Sequence, residues 1–341
     1  MSTCLYVVPL SDLSIIEVTG TDAATFLHGQ LSHDIIGLAP GQAHLAGYCT
    51  AKGRLLGSMV VWPVSGTEVP TLRVLIKADI AETVAKRLSK FVLRAKVKIS
   101  VTGMTVLGIS LAKDVSQTQA DNLQHPSTAL LLEQAAGLPE NPAPWTVVPT
   151  DAGDWIAAGR TQGEPARWWL ATAASTETDN LPQTDHAAWQ VADIAAGLPW
   201  VQAAIQDVFI PQTLNLDLID GVSFTKGCYP GQEVVARSHY RGTVKRRMAY
   251  GVVQDAANLQ ASTLSGTDTF DANNPKAPVG RIVNAAKVAA NSQNSEQPAS
   301  DAVHVLMEVQ LADLEQADFR LGSADGPVIK PRNLPYAVVA A

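Results

Sequence analysis

KGCYPGQEVVAR, residues 226–237, is the least generic stretch of this chain, and the reading of the whole turns on it. It sets one of only three cysteines, Cys228, between Lys226, two glycines, a proline and a Gln-Glu pair. A free thiol titrates at about 8.5, so it is mostly protonated at neutral pH, and a neighbouring cation lowers that value. Lys226 is close by in sequence, and Gly227 and Gly231 let the backbone fold tightly around the sulfur. Two readings follow. Cys228 is a nucleophilic or redox-active group, or the segment is a tight turn whose small apolar cysteine fills a gap. The loop's composition alone leaves both open.

Just downstream, Arg237, Arg241, Lys245, Arg246 and Arg247 place five Lys/Arg within eleven residues of a chain whose net charge is −7. Such a concentration suits phosphate or the carboxylates of an anionic ligand. It equally suits a solvated strand edge protected from aggregation. The net charge excludes a protein whose whole surface grips nucleic acid. Cys4, Cys49 and Cys228 are odd in number and widely separated, so they form neither a disulfide framework nor a CxxC metal pair. A reducing compartment, the cytoplasm, is expected. The longest apolar runs, such as LLGSMVVWPV (55–64), are strand-sized, well short of the ~20 residues of a membrane helix. MSTCLYVVPLSD lacks the basic-then-apolar order of a signal peptide. His28 and His33 read as capping or surface groups. No His/Cys/Asp/Glu set has metal-ligand spacing, so no metal is expected.

With 341 residues the chain has room for two or three cores. IIEV (15–18) is strand-like, and Thr21 or Asp22 can cap a helix whose Ala23, Phe26 and Leu27 share a face, with Gly29 placed to stop it. HLAGYCT (44–50) and LLGSMVVWPV read as a hairpin turned by AKGR, and TLRVLIK (71–77) as a further strand. Asp79 with Glu82 resembles a capping box, after which Ile80, Val84, Leu88 and Phe91 recur at helical spacing. KVKISVT and TVLGISL are the next strands. A similar order then returns: TVVPT, DWIAAG and ARWWLAT, the polar connection ATAASTETDNLPQTD (171–185), and a helix from Asp185 through Trp189 and Ile194, ended by Gly197 and Pro199. The Trp168-Trp169 pair can offer a stacking face, although alternation points one of the two into a core. From about Tyr250 only short strands remain: MAYGVV, VGRIVNAAKVA, AVHVLMEVQ and PYAVVA (335–340), with NSQNSEQPASD (291–301) as a hairpin loop. The reading is α+β over residues 1–244, two antiparallel sheets with helices, and a small β-barrel over 245–341.

The run DVFIPQTLNLDLIDGVSFTKGCYPGQEVVARSHYRGTVKRR (207–247) resembles the signature region of the YgfZ-type folate-binding proteins, relatives of the glycine-cleavage T-protein aminomethyltransferase. GTDAATFLHGQLSHDI (20–35), YCTAKGRLLGSMVVW (48–62) and DIAAGLPW (193–200) extend the likeness to roughly residues 5–250, and LPYAVV extends it more weakly to the end. The resemblance implies two ferredoxin-like α+β domains, interleaved in sequence, around a central folate channel, plus a C-terminal β-barrel. It implies tetrahydrofolate or a derivative as cofactor. It also implies support of iron–sulfur proteins such as tRNA-thiolating radical enzymes. No membrane and no direct nucleic-acid contact are expected for this chain. Carried onto this chain, the reactive role falls on Cys228 with Lys226. Cofactor contacts fall on Gly227, Tyr229, Gly231, Gln232, Glu233, Arg237 and Trp189.

Two positions depart from that pattern. Where the T-protein carries an acidic pair for aminomethyl transfer, this chain reads GRLLGSM, and Gly57 and Ser58 supply no carboxylate. Where relatives carry a glutamate able to bind the pterin amino groups, this chain has Ala195 in DIAAG, a loss of about a few kcal/mol of bidentate contact. Asp193 lies nearby, on a different helix face. The expected function is a folate-binding accessory protein for iron–sulfur enzymes and hence tRNA modification. The alternatives are a one-carbon transferase for another substrate and a non-catalytic scaffold that has lost folate.

Overall fold

A computed structural model describes residues 3–113, 126–173, 185–240, 244–254, 256–287 and 302–338. The first sheet takes β2 (Leu13–Thr19), β3 (His44–Cys49), β4 (Leu55–Pro63), β5 (Thr71–Lys77) and β6 (Lys98–Val101), all antiparallel, in the order β3-β4-β5-β2-β6. Its residues alternate between two cores, as a period of two demands. Ile16, Val18, Val61, Val74 and Ile76 face α1 (Ala23–His28) and α2 (Ala78–Ser89). Ile15, Val60, Trp62 and Leu75 face a central core.

The second sheet takes β1 (Thr3–Pro9), β7 (Thr105–Lys113), β8 (Val147–Thr150), β9 (Gly153–Ala157) and β10 (Ala166–Thr172) in the order β1-β7-β10-β9-β8. Helix α3 (Pro126–Ala136) covers its outer face, where Leu131 and Ala135 meet Leu107, Trp155 and Trp168. The Trp168-Trp169 pair is thus divided. Trp168 packs under α3, and Trp169 packs in the central core against Trp145, Trp189 and Trp200. Both are fully buried, so neither offers a free stacking face. Asp154 on β9 ties the two sheets together, accepting from Trp62 Nε1 at 2.8 Å and Arg73 Nη1 at 2.7 Å. The pairing of β1 with β7 places the first strand in the second sheet, so the entire first sheet is inserted between them.

The third sheet takes β11 (Arg246–Val253), β12 (Asp268–Asp271), β13 (Gly280–Lys287), β14 (Val303–Gln310), β15 (Phe319–Leu321) and β16 (Ile329–Arg332). Its order is β15-β12-β13-β14-β11-β16, and the two ends approach through an Arg320–Val328 bridge, which nearly closes a barrel. Helix α4 (His186–Ala195), capped by Asp185 accepting from Ala187 N–H at 3.0 Å, packs beside β13 and lends Trp189 and Ile194 to the central core.

Several local expectations change. Helix α2 ends at Ser89, so Phe91 leaves the buried stripe and is 50% exposed. Asp79 and Glu82 make no capping box, because Asp79 instead accepts from Ala203 N–H at 2.9 Å. No strand forms at Pro335–Val338, where proline lacks the ladder donor and Tyr336 folds back to donate its hydroxyl to Gly197 O. The loop NSQNSEQPASD and residues 174–184 of ATAASTETDNLPQTD lie outside the described residues.

Candidate functional site

Each unusual residue type in the 226–233 loop has a physical task there. Helix α1 ends at His28 with carbonyls lacking intrahelical donors. Lys226 Nζ reaches back and donates to His28 O and, at 2.7 Å, to Leu31 O. A cation at a helix C-terminus is favourable there, and the same ammonium lies 4.7 Å from the Tyr229 ring centroid. Burial pushes the Lys226 amine down to about 8, with Asp34 and Cys228 acting in the opposite direction. Tyr229 is buried, and that burial holds its phenol above the ordinary range. Gly231 adopts φ +85°, and a Cβ there would stand 2.4 Å from Thr50 O and 2.6 Å from Gly53 Cα. The loop is therefore pressed backbone-to-backbone onto the β3–β4 turn, which only glycine permits. Gln232 and Glu233 open helix α5 (Gln232–Tyr240), with the acid in the first turn, where the dipole favours it.

Between these anchors the Cys228 side chain is left exposed to solvent. Cys49 is buried, which pushes its thiol up to about 12 and makes it inert as a nucleophile. Lys226, Gly227, Cys228, Tyr229, Gly231, Gln232 and Glu233 are thus one continuous structure, with Arg237 exposed on the following helix. Trp189 is elsewhere, buried in the central core with Arg167 stacked 4.6 Å over its ring.

The downstream basic cluster does not act as a unit. Arg246 pairs with Glu308 at 2.5 Å, and Arg247 is fully buried against Asp217 at 2.6 Å. Arg241 lies outside the described residues. Only Arg237 and Lys245 remain as exposed cations of that run.

A cleft of about 540 Å³ opens where the first sheet, α4 and the barrel meet, lined by Asp12, Lys77, Asp79, Gln190, Gln202 and Lys287 among small residues. Lys77 bridges to Asp12 at 2.5 Å, and Asp12 also accepts from Gln190 at 3.0 Å and pairs with His186 at 2.7 Å. His186 and Lys77 hold the Asp12 carboxyl far below its usual range, against the cost of burial. The side-chain amide of Gln202 makes no hydrogen bond among the described residues, so it presents a free donor and acceptor to the cleft. The cleft narrows to Asp193, Trp200 and Asn284. There Asp193 is already satisfied, by Arg167 at 2.9 Å and Trp200 Nε1 at 3.0 Å.

A site of this volume suits a small molecule. Of its polar groups Gln190 and Lys77 are already committed to Asp12, which leaves the Gln202 amide as the group able to meet the folate that the resemblance implies. Ala195 supplies no polar group there. The signature-loop residues do not line this cleft. Ser58, at the position of the missing acids, is buried and spends its hydroxyl on Pro199 O and Val201 N–H, both at 2.9 Å.

Folding also assembles a group that spacing hides. His33, His44 and Asp220 bring ligand-type atoms within 4.8 Å of one another. His33, expected as a surface or capping group, is buried and satisfied by Asp220 at 3.3 Å.

Comparison with known proteins agrees with this architecture. The tRNA-modifying protein YgfZ of Vibrio vulnificus (strain CMCP6) is 31% identical over 246 residues, 70% of this chain and 67% of that protein. The protein of the same name from Yersinia pseudotuberculosis (serotype O:1b, strain IP 31758) is 30% identical over 275 residues, 76% of this chain and 74% of its own length. The glycine cleavage system aminomethyltransferase T of Bartonella henselae shares the fold, with a TM-score of 0.62 over 98% of this chain and 86% of that one, at 15% identity. No protein-family model matches. With its cysteine loop, its T-protein fold and these relatives, the chain belongs to the YgfZ family.

Proposed function

We propose that this chain is a folate-binding accessory protein of tRNA modification, which sustains iron–sulfur enzymes such as tRNA-thiolating radical enzymes through Cys228. The relatives' name supports the tRNA part, and the free amide in the central cleft supports the folate part. The observation that carries the reading is the exposed thiol of Cys228, on a loop otherwise fixed by Lys226, Tyr229 and Gly231. When bound, tetrahydrofolate carries a one-carbon unit. The chain's own residues hold it in the cleft, while Cys228 works on a different surface. Thiol and folate are thus two stations of one protein.

The test is Cys228→Ala in cells lacking the endogenous homologue, with thiolated tRNA measured by mass spectrometry. Cys228 is exposed, so the variant should keep its stability within about 0.5 kcal/mol yet lose tRNA thiolation. Unchanged thiolation would sink the reactive-cysteine reading.

A second reading, a scaffold without folate, draws on the satisfied Asp193 and on Ala195. Calorimetry with 5-formyl-tetrahydrofolate separates the two. Saturable binding, weakened about tenfold by Gln202→Ala, corresponds to one neutral hydrogen bond of about 1.4 kcal/mol. Absence of binding by the wild type leaves the scaffold reading.

A further inference from the structure

The strongest unassigned feature lies just after α2. KRLSKFVLRAKVK (86–98) contains six Lys/Arg and no acid, in a chain of net charge −7. All six (Lys86, Arg87, Lys90, Arg94, Lys96 and Lys98) are exposed. Of the acids beside it, Glu82 lies 3.7 Å from Lys86 in a solvent-exposed pair of little strength, and Asp22 is engaged by the Lys96 backbone N–H.

The segment is rigidly held. Val92, Ala95 and Val97 pack on the core beneath, which turns Phe91 (50% exposed) and Leu93 (87% exposed) outward among the cations. Lys96 N–H donates to Asp22 at 2.7 Å, and a Cβ on Gly20 would come within 1.9 Å of Lys96 O, so the backbone is clamped there.

We infer that residues 86–98 form an RNA-binding surface for tRNA, with the lysines and arginines on phosphates and Phe91 stacked on a base. A preorganised row of exposed cations matches a polyanion, and an exposed aromatic ring is a usual means of holding unstacked bases. Two apolar side chains give too little area to anchor the surface in a bilayer. The inference rests on the tRNA part of the reading above, and not on folate or on Cys228.

The test is fluorescence anisotropy of labelled unfractionated tRNA with the full chain, against a Lys90→Glu/Arg94→Glu/Lys96→Glu variant whose fold is checked by thermal melting. The wild type should weaken steeply as salt rises from about 50 to 200 mM, each phosphate-bound cation contributing about one unit of salt slope. The triple variant should lose binding by about 100-fold or more, and Phe91→Ala by about tenfold, the share of one stacked base. Lys276→Glu, at an exposed cation of the barrel, should change nothing. Equal binding by wild type and triple variant, or tighter binding to phosphatidylserine vesicles than to tRNA, would overturn the proposal. The two ideas fail separately. If Cys228→Ala abolishes thiolation but wild type and triple variant bind tRNA alike, only the surface is wrong. If the triple variant loses tRNA while Cys228→Ala thiolates normally, only the cysteine role is wrong.

Discussion

Asp217→Ala should cost the fold about 3–5 kcal/mol, the penalty of stranding one member of a buried ion pair. Its partner Arg247 is 0% exposed on β11, with Nη1 at 2.6 Å from Asp217 and 2.9 Å from the Gln212 carbonyl. A guanidinium cannot relieve the strain by losing its proton. Nε and Nη2 of Arg247 already lack partners among the described residues, so little can compensate. Urea titration should show a lower midpoint with an unchanged slope. An Asp217→Leu/Arg247→Met double variant should recover most of the loss, because well-packed apolar replacements are often as stable as the pair. A loss below about 1 kcal/mol in the single variant would mean that water reaches the guanidinium. The pair also pins the barrel to the segment leading into the cysteine loop, so its loss should reach the site as well.

The second large effect is expected at Asp193. Its two oxygens serve Arg167 and Trp200, and burial raises its carboxyl pKa against the opposing pull of Arg167 and the Trp200 N–H. Asp193→Ala removes the only carboxylate paired with Arg167 among the described residues and orphans the Trp200 donor, again a loss of about 3–5 kcal/mol. Asp193→Asn keeps the volume and an acceptor, and Arg167 retains Gly159 O and the Trp189 ring, so its loss should be smaller. Thermal melts of the two variants give the comparison. Equal losses would show that charge alone matters there, and not the geometry of the acceptor.

The features legible in the sequence were those with local causes. Strand-like apolar runs mark β2, β3, β4, β5 and β10. Asp185 marked the start of α4, and the glycines of the 226–233 loop marked a tight structure around Cys228. Features set by distant partners were not legible. Nothing near Arg247 reveals that Asp217 will bury it, so two of the five cations, read as an anion site or a solvated edge, are spent on ion pairs. Helical spacing alone groups Phe91 with Ile80, Val84 and Leu88. The stop at Ser89 turned that ring outward and made the cations one surface. His33, His44 and Asp220 come from three separate segments, so no spacing rule joins them. Helix α5 was hidden because its first residues belong to a loop rich in turn formers.

The insertion of one sheet within the other has a consequence for how the chain is made. During synthesis from the N-terminus, Leu13–Val101 contains every strand of the first sheet, and its pairings close locally as it emerges. Thr3–Pro9 leaves the ribosome earlier still, yet its hydrogen-bonding partner does not exist until Thr105–Lys113 has been translated. The first strand therefore waits, unpaired and apolar, for a neighbour on the far side of a finished domain, and that interval is where misassembly is most exposed. A shortened N-terminus should consequently leave the first sheet to fold and uncover the edge of β7 in the second.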